Sequence, residues 1–137
     1  MKTLVAKPVV TCFLKQDGRI LLLQRSDRVG SYRGRWAAIS GFMEKPAEDQ
    51  ALTEITEETG LRPVDVELVR QGETLAVTDG ALGIRWRVHP LLYRVKDASG
   101  LRSDWEHSEY RWVLPEELGQ YDTVPGLAQA LARVLPA

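Results

Sequence analysis

A single cysteine, Cys12, leaves the chain without an internal disulfide, which excludes the small secreted folds held by cross-links and suits a reducing compartment. Long apolar runs are also missing. Residues 20–23 form one of the longest, against the roughly 20 residues needed to cross a bilayer, so neither a membrane helix nor a membrane partner is expected. Residues 1–10 carry Lys2 and Lys7 and lack the apolar centre of a secretory leader, which makes the cytoplasm the expected setting. Charge of one sign is not in excess: 18 basic and 19 acidic residues leave a net charge of −1. That balance removes both the basic footprint of a nucleic-acid binder and the imbalance typical of a disordered chain. The two histidines, His89 and His107, stand apart from Cys12 and give no closed zinc set. What remains is 137 residues, 44% of them hydrophobic, enough for one domain over residues 1–137 with its own core.

Periodicity orders that domain. Residues 8–15 are rich in strand formers, Asp17-Gly18 supplies a hairpin turn, and residues 20–24 resume the apolar run. A polar loop over residues 26–34 leads to a short strand at residues 36–39, ending at Ser40-Gly41. The spacing of Ala47, Ala51, Ile55 and Thr59, with Leu52 beside them, then predicts a helix over Ala47–Thr59, with Pro46 in its first turn and Gly60 at its stop. Beyond Arg62-Pro63, residues 64–77 read as one strand, followed by a turn at Thr78-Asp79-Gly80. Ile84, Trp86 and Val88 alternate with Arg85 and Arg87, and Pro90 marks a bulge or an edge before the strand continues to Val95. Residues 110–113 predict a further strand, and Pro115-Glu116-Glu117-Leu118 one helical turn. Thr123 is the expected cap of a terminal helix with Pro125 in its first turn, carrying Leu127, Leu131, Val134 and Leu135 on one side. Hairpin, helix, strands and helix in this order imply an α/β (α+β) mixed sheet with helices packed on it.

The helix carries an oddity. Glu54, Glu57 and Glu58 fall within an arc of about 100°. Glu54 and Glu58 are a like-charge i,i+4 pair, which costs a few tenths of a kcal/mol, and all three crowd the negative end of the helix dipole. Arg62 is the basic residue spaced to relieve Glu58. The stripe reads either as a solvated acidic face or as the oxygen donors of a hard divalent cation.

The surroundings distinguish the two. Gly41-Phe42-Met43-Glu44 and then Glu54-Ile55-Thr56-Glu57-Glu58-Thr59-Gly60-Leu61 resemble the signature of the Nudix hydrolases. That signature is a glycine, five residues, a glutamate, seven residues, then Arg-Glu-U-x-Glu-Glu-x-Gly-U, with U aliphatic. The second half matches at every fixed position but the arginine. Arg25, Gly34-Arg35-Trp36 and Tyr110-Arg111-Trp112-Val113 followed by Pro115-Glu116-Glu117-Leu118 extend the resemblance along the chain. Three departures stand out. Gly41 lies two residues too close to Gly60, Lys45 occupies the position of the first glutamate, and Thr53 replaces the arginine that helps orient the helix carboxylates. Glu44 and Glu48 are the acids nearest the lost one.

The resemblance implies a Nudix-like α/β/α sandwich around a mixed central β-sheet. It also implies a Mg²⁺- or Mn²⁺-dependent pyrophosphohydrolase acting on a nucleoside diphosphate linked to another moiety, or on a nucleoside triphosphate. By position, Glu54, Glu57 and Glu58 with the Gly41 carbonyl would hold metal. Glu54, Glu57, Glu58 and Glu106 would form the catalytic set. The base is a helix glutamate or a later-loop acid; for the latter, Glu106 is preferred to Glu109, with His107 beside it as a further proton-transfer group. Arg25 and Arg35 are the arginines assigned to phosphate, since a planar guanidinium grips it bidentately, whereas Arg28 and Arg33 read as loop charges. Phe42 is assigned to substrate; Tyr32 and Trp86 are further rings able to stack a base, although Trp86, alternating with Ile84 and Val88, reads first as core. The partner implied is a nucleotide-like diphosphate rather than nucleic acid, and the assembly a homodimer. The departures at Lys45 and Thr53 keep a second reading open, a catalytically weak Nudix-like nucleotide-binding or sensor module.

Overall fold

Strand alternation builds two cores from the same segments. In the computed structural model, which describes residues 3–136, β1 (Val5–Gln16) turns Val9 and Phe13 to one face and Val10, Cys12 and Leu14 to the other. β2 (Arg19–Arg25) does the same with Ile20 and Leu22 against Leu21 and Leu23. Asp17 and Gly18 join them at φ 52° and 76°, the paired left-handed residues of a two-residue hairpin turn, as expected. Lys2, part of the stretch read above for a leader, lies with Met1 outside the described residues.

β3 (Trp36–Ala37) pairs with β2, and β4 (Ile39–Phe42) pairs with β1. The strand expected at residues 36–39 thus changes partner at Ala38 and runs on, so Gly41 sits inside a strand, opposite Val10. Helix α1 (Ala47–Thr59) has the predicted limits. The Pro46 carbonyl accepts the Gln50 N–H, and Gly60 ends the helix at φ 77°, its N–H bonded to the Thr56 carbonyl. Ala47, Ala51 and Ile55 pack on the sheet, and the same side buries Gln50, Glu58 and Thr59.

The single strand expected over residues 64–77 is not formed. Pro63–Asp65 makes a 3-10 turn, and β5 (Val66–Gln71) and β6 (Leu75–Asp79) are separate strands on the same edge of β7 (Ile84–Val95). The break falls at Gly72, where a Cβ would come within 2.6 Å of the Arg133 carbonyl oxygen. Gly72 donates its N–H to the Pro90 carbonyl. A strand residue points its N and its carbonyl to the same side, so the donor Pro90 lacks faces this gap between strands rather than a ladder partner. Thr78 and Asp79 belong to β6, and the turn falls on residues 80–83.

β7 runs parallel to β1 from Val5↔Ile84 to Lys15↔Arg94 at the centre of an eight-stranded mixed sheet. β8 (His107–Val113) covers the outer edge of β2 and starts three residues earlier than expected. After a 3-10 turn at Pro115–Gln120 comes α2 (Leu127–Ala132). Its cap is Gly126 at φ 80°, not Thr123, which bridges to Trp36 instead. Leu127 and Leu131 pack from α2, and Val134 and Leu135 follow beyond its end. With α1 on one face and α2 on the other, the architecture is the expected α/β/α sandwich.

Candidate functional site

A cleft of about 690 Å³ opens between β4, α1 and the strands that carry Val77 and Trp86. Glu54, Glu57, Glu106 and Arg25 line it, together with the rings of Tyr32, Phe42 and Trp86. Its acidic end rests on a close fit: a Cβ on Gly41 would lie 2.2 Å from the Glu54 carboxyl carbon, so β4 leaves that carboxylate its seat by having no side chain there. Gln50 braces it, donating to Glu54 Oε2 at 3.1 Å while its own oxygen accepts the Glu44 N–H at 3.0 Å.

Glu58 is 3% exposed, and its Oε2 has no hydrogen-bond partner among the described residues. Burial pushes its carboxyl well above the usual range, and Glu106, Glu54 and Asp104 push the same way. Burial also raises Glu54, against the pull of Gln50. Glu106 is raised by burial and by Asp104, and held back by Arg25. The carboxyls are therefore short of positive charge. Arg25 supplies some: its Nε donates to the Ser31 carbonyl at 2.9 Å, and burial draws its pKa down. Arg62 supplies none to Glu58, contrary to expectation, because it turns to Asp65 at 3.4 Å.

His107 lies beneath this end, with Nε2 3.6 Å from Glu58 Oε1 and Nδ1 3.0 Å from Asp104 Oδ1. Burial lowers its pKa, against Asp104, which raises it. At the other end, Phe42 is 54% exposed and tilted 34° to the Trp86 ring, with 6.1 Å between centroids. The Trp86 indole donates to Tyr32 Oη at 3.1 Å, and that hydroxyl donates to Asp79 at 2.7 Å. Trp86 both lines the cleft and packs against the α2-side core, the second as its alternation with Ile84 and Val88 implied.

The fold brings most of the expected residues to one place. Gly41, Phe42, Glu54, Glu57, Glu106 and Arg25 line the cleft, and Glu58 lies just beneath it. Arg35 does not join them. It stands off the cleft lining, 4.0 Å from Asp122 and with its guanidinium 5.8 Å from the Tyr32 ring. Arg33 is a loop charge, tied to the Val29 carbonyl, and Glu109 faces outward to Arg111. Glu117 accepts the Leu114 N–H within its turn, and Cys12 is buried. Of the spare acids, Glu44 lines the cleft and Glu48 does not.

Lys45 and Thr53 touch: the lysine ammonium donates to the threonine hydroxyl, and both line the cleft. The positive charge absent from position 53 thus arrives from position 45. Sequence reasoning missed Gln50 and Asp104. Gln50 stands four residues before Glu54, a spacing at which helix side chains meet, whereas the role of Asp104 depends on a loop path that no pattern announces.

A family model described as the NUDIX domain matches residues 5–135. The chain belongs to the Nudix family. As a Nudix hydrolase it acts on phosphoanhydride bonds, in a family that works on nucleotide-like substrates and generally needs a divalent metal. The nucleoside triphosphatase NudI of Salmonella newport is 28% identical over 124 residues, covering 85% of this chain and 87% of the relative. Among solved structures, a NUDIX hydrolase from Nitrosomonas europaea superposes with a TM-score of 0.76 at 16% identity, covering 94% of this chain and 88% of the other. An Ap4A hydrolase of C. elegans, solved as a binary complex, superposes at 0.72 with 19% identity, covering 95% and 94%. No helix among the described residues is long and apolar enough to cross a membrane.

Proposed function

We propose that this chain works as one domain and as a divalent-metal-dependent pyrophosphohydrolase. Its substrate is a nucleoside triphosphate or a nucleoside diphosphate linked to another moiety, its ion Mg²⁺ or Mn²⁺, and its setting the cytoplasm. The observation that carries this reading is the Glu58 carboxyl: deeply buried, with one oxygen unpartnered, and pressed by neighbouring acids. A folded chain keeps such a group only where something offsets its desolvation. Oxygen donors gathered without enough positive charge fit a hard cation. Glu54, Glu57, Glu58 and the Gly41 carbonyl would hold the ions. When bound, such ions stabilise the charge that develops on a diphosphate.

The chain's own groups do the rest. Gly41 and Gln50 fix the Glu54 carboxylate. Arg25, held by Ser31, grips a phosphate oxygen. Glu106 takes the proton of the attacking water, because burial raises its pKa and makes it a better base than a solvated carboxylate, a rise that Arg25 opposes. Phe42 and Trp86 offer ring faces to the base of the nucleotide.

The test is a panel of nucleoside triphosphates and diphosphate-linked nucleosides, assayed with Mg²⁺ and with Mn²⁺ and scored by the phosphate-containing products. Metal-dependent release of nucleoside monophosphate with pyrophosphate or a substituted phosphate is the expected result. Absence of turnover across the panel, with nucleotide binding retained, would establish the sensor-module reading instead.

A further inference from the structure

We propose that His107 is a metal ligand in this chain, joining Glu58 and Glu106 through Nε2, and that the resulting nitrogen-containing site selects Mn²⁺ or a later first-row ion over Mg²⁺. The inference rests on the metal dependence proposed above and extends it to a residue that the helix signature does not contain.

The geometry begins at Asp104. Its Oδ1 lies 3.0 Å from His107 Nδ1, and since a carboxylate only accepts, Nδ1 carries the proton. In the neutral ring Nε2 then presents a lone pair. That lone pair faces Glu58 Oε1 across 3.6 Å, too far for a hydrogen bond, between side chains 1% and 3% exposed. Two acceptors turned toward each other out of water repel unless a proton or a metal ion lies between them, and 3.6 Å is longer than a shared proton allows. A second observation points the same way: Oε2 of that buried Glu58 has no partner among the described residues. One ligand atom each from Glu58, Glu106 and His107 lie within 4.8 Å of one another. Around an octahedral ion with bonds of about 2.1 Å, neighbouring ligands are about 3 Å apart and opposite ones about 4.2 Å, so small side-chain movements bring these three to one ion. Glu106 has two oxygens, and ligation through one leaves the other to accept a proton.

Asp104 completes the arrangement. A carboxylate bonded to the far nitrogen of a ligating imidazole fixes the ring and raises its basicity. Imidazole nitrogen suits transition ions, while Mg²⁺ keeps to oxygen.

Electron spin-echo spectroscopy of the full chain with Mn²⁺ alone tests this. Wild-type protein is expected to give imidazole ¹⁴N modulation that becomes ¹⁵N modulation when histidine is labelled, disappears in His107→Gln and persists in His89→Gln. By titration, His107→Gln weakens Mn²⁺ binding at least about tenfold, with a smaller loss for Mg²⁺, and Asp104→Asn weakens Mn²⁺ binding by about the same factor. Should His107→Gln not fold, the labelled wild type and His89→Gln still decide. Bound Mn²⁺ without nitrogen coupling, or coupling that survives in His107→Gln, overturns this proposal and leaves the carboxylate site standing. Failure of the wild type to bind Mn²⁺ at all overturns both.

Discussion

The two ends of the cleft are built on opposite principles. At the acidic end, side chains are buried, braced by Gly41, Gln50 and Asp104, and raised in pKa by burial and by one another. At the aromatic end, Phe42 stands more than half exposed and Trp86 leans on it without close stacking. The first end gives up folding stability to hold charge in a fixed geometry. The second gives up little and can accommodate different ring systems. Under the proposed function, chemistry is thus separated from selectivity along one groove.

The sharpest way to break this contrast is Glu58→Gln. Activity should fall by about 10²–10³ or more, while the metal-free protein becomes more stable at neutral pH by on the order of 1 kcal/mol. The sign follows from the raised carboxyl: the folded chain holds that proton to higher pH than the unfolded chain does. The wild type without metal therefore loses stability as pH rises from the ordinary carboxylate range near about 4.3 through the folded value. Chemical denaturation with a chelator, repeated across that window, should show the slope in wild type and a shallower one in the variant.

Gly41→Ala comes next. Its Cβ would displace the Glu54 carboxyl, the tip of a flexible side chain. Activity should drop roughly 10–100-fold with less than about 1 kcal/mol lost from stability, measured by kinetics and thermal melts on the same preparation.

At the other end, Phe42→Ala should raise KM roughly tenfold with kcat within about a factor of two, since a ring face contributes to binding rather than to the reacting atoms. The smallest effect is expected at Glu109→Gln, within about twofold in activity and about 0.5 kcal/mol in stability, because Glu109 pairs with Arg111 on the surface. A larger effect at Glu109 than at Glu106→Gln would reassign the loop acid.

The α1 side of this contrast was legible in the sequence because helical period and punctuation are local. Ala47, Ala51 and Ile55 mark the buried face, Pro46 and Gly60 the limits, and three glutamates follow from their numbering alone. The aromatic end was only partly legible. Trp86 alternates with core residues and joins Tyr32 through a bond spanning 54 positions. Residues 64–77 misled for a related reason: the break at Gly72 is imposed by the close approach of Arg133, far along the chain. The place of Arg35 was not legible either, because its position beside Trp36 in sequence does not fix which way the side chain turns, and it stands off the cleft lining.

The contact between Lys45 and Thr53 constrains how this protein could have changed. Replacing Lys45 by glutamate alone would add a fifth acid to a cleft already lined by Glu44, Glu54, Glu57 and Glu106, and replacing Thr53 by arginine alone would set two cations against each other. The pair is interdependent, each single step meeting a penalty that the double step avoids. Glutamate at position 45 or arginine at position 53, introduced one at a time, would read as harmful where the two together would not.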